Sequence, residues 1–415
     1  MSNSRIIQLA QLITSQTSVV DKHIRDTGLV QPSFNEDDFA QSTQPSPPEV
    51  ERAKKSVIEA TIELRQLLEG PMKLLVPDSN FFPLAAISRF NIASNVPINS
   101  SISFANLAEA CGLLEHDLHR IIRYTAAHHH VFREPTKGWV AHTAASRLLA
   151  ESSPARDVMV LTFGECWPAH GKALDAIAQR SSEPSISGYA LANATTLTTF
   201  EFLSQNPARA QSFAGAMSST SAASLDALAA YFDWGALPSS STVVDVGGSQ
   251  GHVSVHLAQQ FSQLRFVVQD VREVLEGAEA KVPEGLEGRV GFQVHDFFAE
   301  QPVKGARVYL LRYVLHDWPD KYCIRMLRAL VPALVEGAVV VLQEHVLPEP
   351  GTIGLLQEMG VRSMDAIMLS LFNSRERDEK DWRELLREAN KGFVVESIER
   401  IKENPTTGVI VVRWT

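Results

Sequence analysis

Val243-Val244-Asp245-Val246-Gly247-Gly248-Ser249-Gln250-Gly251 is the stretch on which the fold turns. A β-branched run ends at an acid, and three glycines punctuate the turn that leads into the helical stretch Val253–Phe261. Glycines at a strand-to-helix turn let the backbone approach a ligand closely. The spacing is D-x-G-G-x-x-G, not the G-x-G-x-x-G of dinucleotide sites. Asp245 also lies inside the strand end, where its carboxylate would repel a diphosphate. That position suits a ligand carrying an ammonium group.

Outward from this turn, strand-like runs alternate with helical ones. Arg265–Gln269 is followed by Val271–Lys281, then Val290–Val294, then Ala306–Leu311 with Lys321–Leu334, then Ala338–Gln343. This alternation predicts an α/β fold with a parallel, doubly wound, Rossmann-like sheet. Phe393–Ile398 and Val409–Trp414, around Glu403-Asn404-Pro405-Thr406, predict an antiparallel hairpin at one edge. Asp270 closes the second strand, where ribose hydroxyls are usually gripped. Asp296 follows the third strand and precedes Phe297-Phe298, an acid and an aromatic face suited to adenine. Three acids at successive strand ends predict a site for S-adenosylmethionine (SAM), whose methionine end carries the ammonium.

Upstream, residues 4–28 show a broken helical stripe, and a polar segment ending in Pro45-Ser46-Pro47-Pro48 reads as a linker. A helix is expected from Pro48 to Leu68, stopped by Gly70-Pro71. It needs a surface to pack against, either its own domain or a second copy of the chain. Ser103 can cap a helix through Ala110, and Glu115–His129 reads as a second helix. Val131–Arg133 and Trp139–Ala141 then read as strands around a turn, which together predict a winged helix. His128-His129-His130 cannot chelate one metal jointly, because neighbours on a helix point apart. No metal site is expected. The expected organisation is an N-terminal helix and linker over 1–48, a mainly helical winged-helix domain for dimerisation and substrate enclosure over 49–235, and a SAM-binding domain over 236–415.

The 415-residue chain carries 38 Lys and Arg against 48 Asp and Glu, a net charge of −10. Such a balance lacks the electrostatic footprint of a nucleic-acid binder. It argues against a DNA-binding role for the winged helix. Three scattered cysteines do not make a disulfide framework, and no apolar run is long enough to span a membrane. Met1 to Asp26 lacks the pattern of a secretory signal, so a cytoplasmic location is expected.

The string Leu310-Leu311-Arg312-Tyr313-Val314-Leu315-His316-Asp317-Trp318-Pro319-Asp320 resembles the signature of the plant- and fungal-type SAM-dependent O-methyltransferases. The Asp245–Gly251 motif is similar as well, and Tyr231-Phe232-Asp233-Trp234-Gly235 points to the fungal secondary-metabolite branch. Methyl transfer to oxygen requires the acceptor to be aligned and its proton removed. A histidine just past a strand end suits that work, since an ordinary imidazole with pKa about 6.5 is largely neutral at cellular pH. His316 is therefore the candidate general base. The resemblance implies that Glu344 and Glu376 flank it, that Arg312 contacts the cofactor, and that Phe213, Met217, Met364 and Met368 line the acceptor pocket. Asn373 is a candidate polar contact to the acceptor.

The reading is a SAM-dependent O-methyltransferase, in the form of a homodimer, acting on a hydroxyl of a small aromatic or enolic secondary metabolite. The alternative keeps fold and cofactor but turns the site to dehydration or pericyclic cyclisation, with SAM bound and not consumed. A SAM-sensing regulator is disfavoured by the acidic balance, and an NAD-dependent dehydrogenase by Asp245 and the glycine spacing.

Overall fold

The computed structural model describes residues 4–36, 46–76, 80–221, 225–402 and 404–415, so residues 37–45 of the expected linker lie outside the described residues. The chain forms two compact units, Met1–Gly164 and Glu165–Thr415. The division falls ahead of the boundary near Gly235 expected from the sequence. Its reason is packing: the helix Trp167–Ile177 lies against Leu355–Phe372, and Leu228 and Trp234 join the core beside Val243 and Phe266.

In the first unit the helix Arg5–Thr27 lies along Pro48–Glu69 and buries Leu9 and Ile24 with Val50, Ala53 and Ala60. A bidentate pair between Arg5 and Glu63, at 2.6 Å for each contact, ties the two helices. Helices Phe104–Cys111 and Glu115–His129 follow, the first capped by the Ser103 hydroxyl. Three short strands, β1 (Ser101–Ser103), β2 (Arg133–Thr136) and β3 (Trp139–Ala141), form an antiparallel sheet in the order β1-β3-β2. β1 was not foreseen, and β2 begins two residues later than expected because Val131 and Phe132 turn into the core. The consecutive histidines diverge: His128 stacks on Tyr124 and His130 on Phe34.

The second unit carries the large sheet. Its strands are β4 (Thr242–Val246), β5 (Arg265–Asp270), β6 (Val290–Val294), β7 (Val308–Arg312), β8 (Val339–Leu347), β9 (Arg377–Asp378), β10 (Phe393–Arg400) and β11 (Thr407–Trp414). The order is β10-β11-β8-β7-β4-β5-β6, with β9 beside β8. β4 pairs in parallel with β5 and β7, so the strand order reverses at β4 and opens a crevice at the carboxyl ends. β10 and β11 form the expected hairpin. Alternation along β4 builds both cores: Val243 belongs to one with Leu257 and Phe266, and Val244 and Val246 to the other with Leu327 and Trp382.

Three expectations change here. The stretch 271–281 forms only a turn of helix, Arg272–Leu275, and a short 3₁₀ segment, Glu279–Lys281. The run at Ala338–Gln343 continues to Leu347, so Glu344 lies within the strand and not after it. β9, unforeseen, sits in a charged run that shows no strand pattern.

Candidate active site

The glycine turn after β4 is tight for reasons that can be named. The Gly247 and Gly248 amides both donate to the Gln269 carbonyl, at 2.8 and 3.0 Å. A Cβ on Gly248 would lie 2.6 Å from Asp245 Cγ and 2.8 Å from Val268 Cγ1. Gly251 has φ +79° and leaves 2.9 Å between a built Cβ and the Phe292 ring, so both constraints call for glycine there. This crowding forms a cradle that side chains would fill.

Asp245 is buried at the floor of that cradle and accepts from the Ser254 hydroxyl at 2.7 Å. Burial raises its pKa to about 6, with the nearby Asp270 acting in the same direction. A buried carboxylate held by one hydroxyl, beside an open glycine turn, fits the cationic end of SAM. Asp270, at the end of β5, accepts from the Ser249 and Val271 amides at 2.9 and 2.8 Å. It therefore fixes the glycine turn as well as closing the strand. Asp296 is exposed and accepts from the Phe298 amide at 2.9 Å, which shapes the turn around Phe297. Arg312 donates to the Gln343 side chain at 2.7 Å and lies over the Tyr313 ring.

His316 stands on a short 3₁₀ turn after β7 and is 8 % exposed. Its Nδ1 lies 2.9 Å from Glu376 Oε1, and its Nε2 lies 3.6 Å from Asp317 Oδ1. Burial disfavours charge on the ring, but Asp317, Glu376 and Glu344 outweigh it and push the pKa up to about 10. Glu344 reaches the loop backbone: its Oε1 accepts from the Val314 and Leu315 amides at 3.0 and 2.8 Å. Burial raises this carboxyl to about 7, whereas Glu376, though burial opposes it, is held low by the His316 charge.

Trp318, two residues after His316, belongs to a row of aromatic rings. Phe213 meets Phe200 edge-on at 6.3 Å, Phe200 stacks on Phe372 at 5.2 Å, and Trp318 lies 6.2 Å from Phe200. Phe297 meets Trp318 at 5.9 Å and lies 3.9 Å from a Cβ built on Gly247, so the row runs from Phe213 to the glycine turn. Met368 is buried and Met364 half-buried on the helix Leu355–Phe372, while Met217 is exposed on Pro207–Ser221. Asn373 is engaged elsewhere: it ends its helix in a left-handed conformation, and its Nδ2 donates to the Ser181 and Glu183 carbonyls.

Residues 174–394 match the model of the O-methyltransferase domain family. The O-methyltransferase of the grayanic acid biosynthesis cluster of Cladonia grayi is 41% identical over 99% of this chain and 88% of its own length. The O-methyltransferase pyvH of Aspergillus violaceofuscus is 39% identical over the full length of both. The chain belongs to the SAM-dependent O-methyltransferase family. Among solved structures, OxaC superposes on this methyltransferase with a TM-score of 0.77 at 22% identity, covering 96% of this chain and 100% of that one. LepI, solved with SAM, superposes with a TM-score of 0.71 at 22% identity over 98% and 100%. At these identities the likeness is one of fold.

Sequence reasoning missed three residues that the structure brings to the candidate site. Arg377 is fully buried, donating to the Leu315 and Trp318 carbonyls at 3.1 and 2.9 Å and to Asp320, so it clamps the His316 loop. Asp317, beside His316 in the motif, places its Oδ1 3.6 Å from His316 Nε2, which the motif alone does not reveal. Phe200 joins the aromatic row, and nothing in its local pattern marks it.

Proposed function

We propose that this methyltransferase methylates a hydroxyl of a small aromatic or enolic secondary metabolite, with His316 as general base. The observation that carries the reading is the buried His316–Glu376 contact at 2.9 Å, with Trp318 of the aromatic row two residues further on. Bound SAM supplies an electrophilic methyl on a sulfonium, already a good leaving group. Asp245 would hold its ammonium, Asp270 its ribose, Asp296 and Phe297 its adenine, and Arg312 would contact it from β7.

Glu376 keeps Nδ1 of His316 protonated and turns Nε2 toward the acceptor hydroxyl. Glu344 and Arg377 hold the loop that carries the ring. Because the surrounding acids favour a protonated ring, the base form gains population when positive charge arrives on the cofactor side. A base so placed typically contributes about 10²–10⁴ in rate. Phe213, Met217, Met364 and Met368 would face the acceptor, where methionine adapts to flat rings.

The test is turnover of labelled SAM with a panel of phenols and enols. Activity in wild type that drops at least a hundredfold in His316→Ala is expected; unchanged turnover in that variant would remove the mechanism. Product formation without S-adenosylhomocysteine would establish the second reading, dehydration or pericyclic closure. The relatives named above as O-methyltransferases support the first.

The same proposal includes a homodimer through the first unit, where Leu68, Met72 and Leu75 are 65, 70 and 77% exposed. A single 46-kDa species by light scattering would remove that part.

A further inference from the structure

Glu376 is seated where the chain folds back on its own helix. The helix Leu355–Phe372 ends at Asn373, whose left-handed conformation, φ 54°, reverses the chain. The Ser374 amide then donates to the Met368 carbonyl at 3.2 Å, and the Glu376 amide to Asp365 Oδ1 at 2.8 Å. Residues 374–376 thus run back beside the turns that carry Met364 and Met368. An ionised acceptor makes the last of these bonds a strong one for a backbone amide. Glu376 needs such a hold. Its Oε1 meets His316, but its Oε2 is buried with no hydrogen-bond partner among the described residues, so nothing at Oε2 fixes the carboxyl. After Glu376 the chain is fixed by the pairing of β9 with β8 and by the Arg377 guanidinium. Before it, Arg375 turns to Asp320 and Asp381, at 3.0 Å each. The helix that carries Asp365 is itself anchored, since the Thr199 hydroxyl donates to the Leu371 carbonyl at 2.5 Å.

We propose that Asp365 is a positioning residue for the base, holding the Glu376 peptide so that the carboxyl reaches Nδ1 of His316. This rests on the reading of His316 as the base. Asp365 makes and breaks no bond in the reaction: it holds a backbone N–H, Glu376 holds the ring, and the ring meets the acceptor. One helix then sets both the partner of the base and the methionines assigned to the acceptor. Without the Asp365 oxygen, the amide of the buried Glu376 is left unpaired, and the peptide turns to find another partner. The carboxyl moves with it and the contact at Nδ1 loosens. The charged and titratable groups facing His316 are Asp317 and Tyr313 from its own loop, Glu344 and His345 from β8, and Glu376 ahead of β9. Arg377 binds the carbonyl of the preceding residue, and Asp365 meets this group through the Glu376 amide. Burial lowers the proton affinity of the ring, and Asp317 and Glu376 more than restore it. A displaced Glu376 carboxyl therefore registers in the titration of His316.

The experiment needs no acceptor. In enzyme labelled with ¹⁵N-histidine, the His316 ring is titrated by NMR and its Nδ1–H resonance followed in wild type, Asp365→Asn, Asp365→Ala and Asp365→Leu. Asn keeps an oxygen for the Glu376 amide and gives up the charge, whereas Ala and Leu keep neither. Ala and Leu should titrate lower than wild type by about one pH unit or more, with a broadened Nδ1–H signal. Asn should match wild type in both respects. Wild-type titration in a folded Ala or Leu variant overturns the proposal. An equal fall in all three also overturns it, because the charge of Asp365 and not its hydrogen bond would then be acting. Should Ala and Leu both fail to fold, hydrogen exchange of the Glu376 amide decides. Slow exchange in both wild type and Asn upholds the assignment, and fast exchange in either overturns it. Turnover in the phenol panel enters none of these measurements, so failure of methyl transfer and failure of this assignment are told apart.

Discussion

His316 and Glu376, sixty residues apart in the chain, meet at 2.9 Å between Nδ1 and Oε1 in a buried setting. That contact fixes the tautomer of the ring and, with Asp317 and Glu344, raises its proton affinity. Loss of the Glu376 charge separates orientation from basicity. In Glu376→Gln the alkaline rise of kcat/KM for the acceptor, at saturating SAM, should move to lower pH by about 1–3 units. The plateau should fall as well. A pH profile of wild type and variant checks this, and an unshifted limb would detach Glu376 from the titration of His316.

Asp245 predicts how SAM affinity responds to acid. Burial raises the carboxyl to about 6 in the ligand-free protein, while a cationic ligand binds its ionised form. Affinity should be level above pH 6 and weaken by up to about tenfold per unit below it. Asp245→Asn should bind SAM weakly with a flat pH dependence. Calorimetric titration between pH 5 and 8 decides it.

Gly248 tests the cradle. A methyl group there would meet Asp245 Cγ at 2.6 Å, and Gly248→Ala should destabilise the fold by about 1–3 kcal/mol and lower SAM affinity at least tenfold. Gly291, with nothing within 4 Å of a built Cβ, is the control, and Gly291→Ala should stay within about 0.5 kcal/mol of wild type. Chemical denaturation with SAM titration reads both.

Glu344 carries a stability cost of known sign. Burial raises its folded pKa to about 7, well above the ordinary carboxylate range. The stabilisation it brings is therefore complete below its unfolded pKa and disappears as pH rises through 7. Between pH 5 and 8 the melting temperature of ligand-free wild type should decline relative to Glu344→Gln. Each kcal/mol corresponds to a few degrees, about 2–4 °C in a domain of this size. Parallel melting curves would contradict the assignment, and the variant should lose activity at every pH.

The sheet was legible because its strands are β-branched runs with glycine punctuation, and the acids at strand ends stand out against them. Asp245 and His316 were legible for the same reason: each interrupts an apolar run. Glu344 was placed outside its strand because polar residues from Gln343 to His345 break the apolar pattern, although backbone pairing with β11 carries the strand onward. Arg377 was invisible. In Arg375-Glu376-Arg377-Asp378 a charged run reads as solvated surface, and only packing on Trp382 and beneath the loop after β7 buries it.

The Arg377 clamp also says where an engineer should and should not cut. One guanidinium joins the carbonyls of Leu315 and Trp318 to the strand that follows Glu376, so His316, Glu376 and their loop form one block. Diversity introduced at Phe213, Met217 or Met364 lies outside that block. Under the proposed reading, libraries built there would explore new acceptors while His316, Glu376 and their loop stay unchanged, whereas substitution of Arg377 would release the loop from the strand.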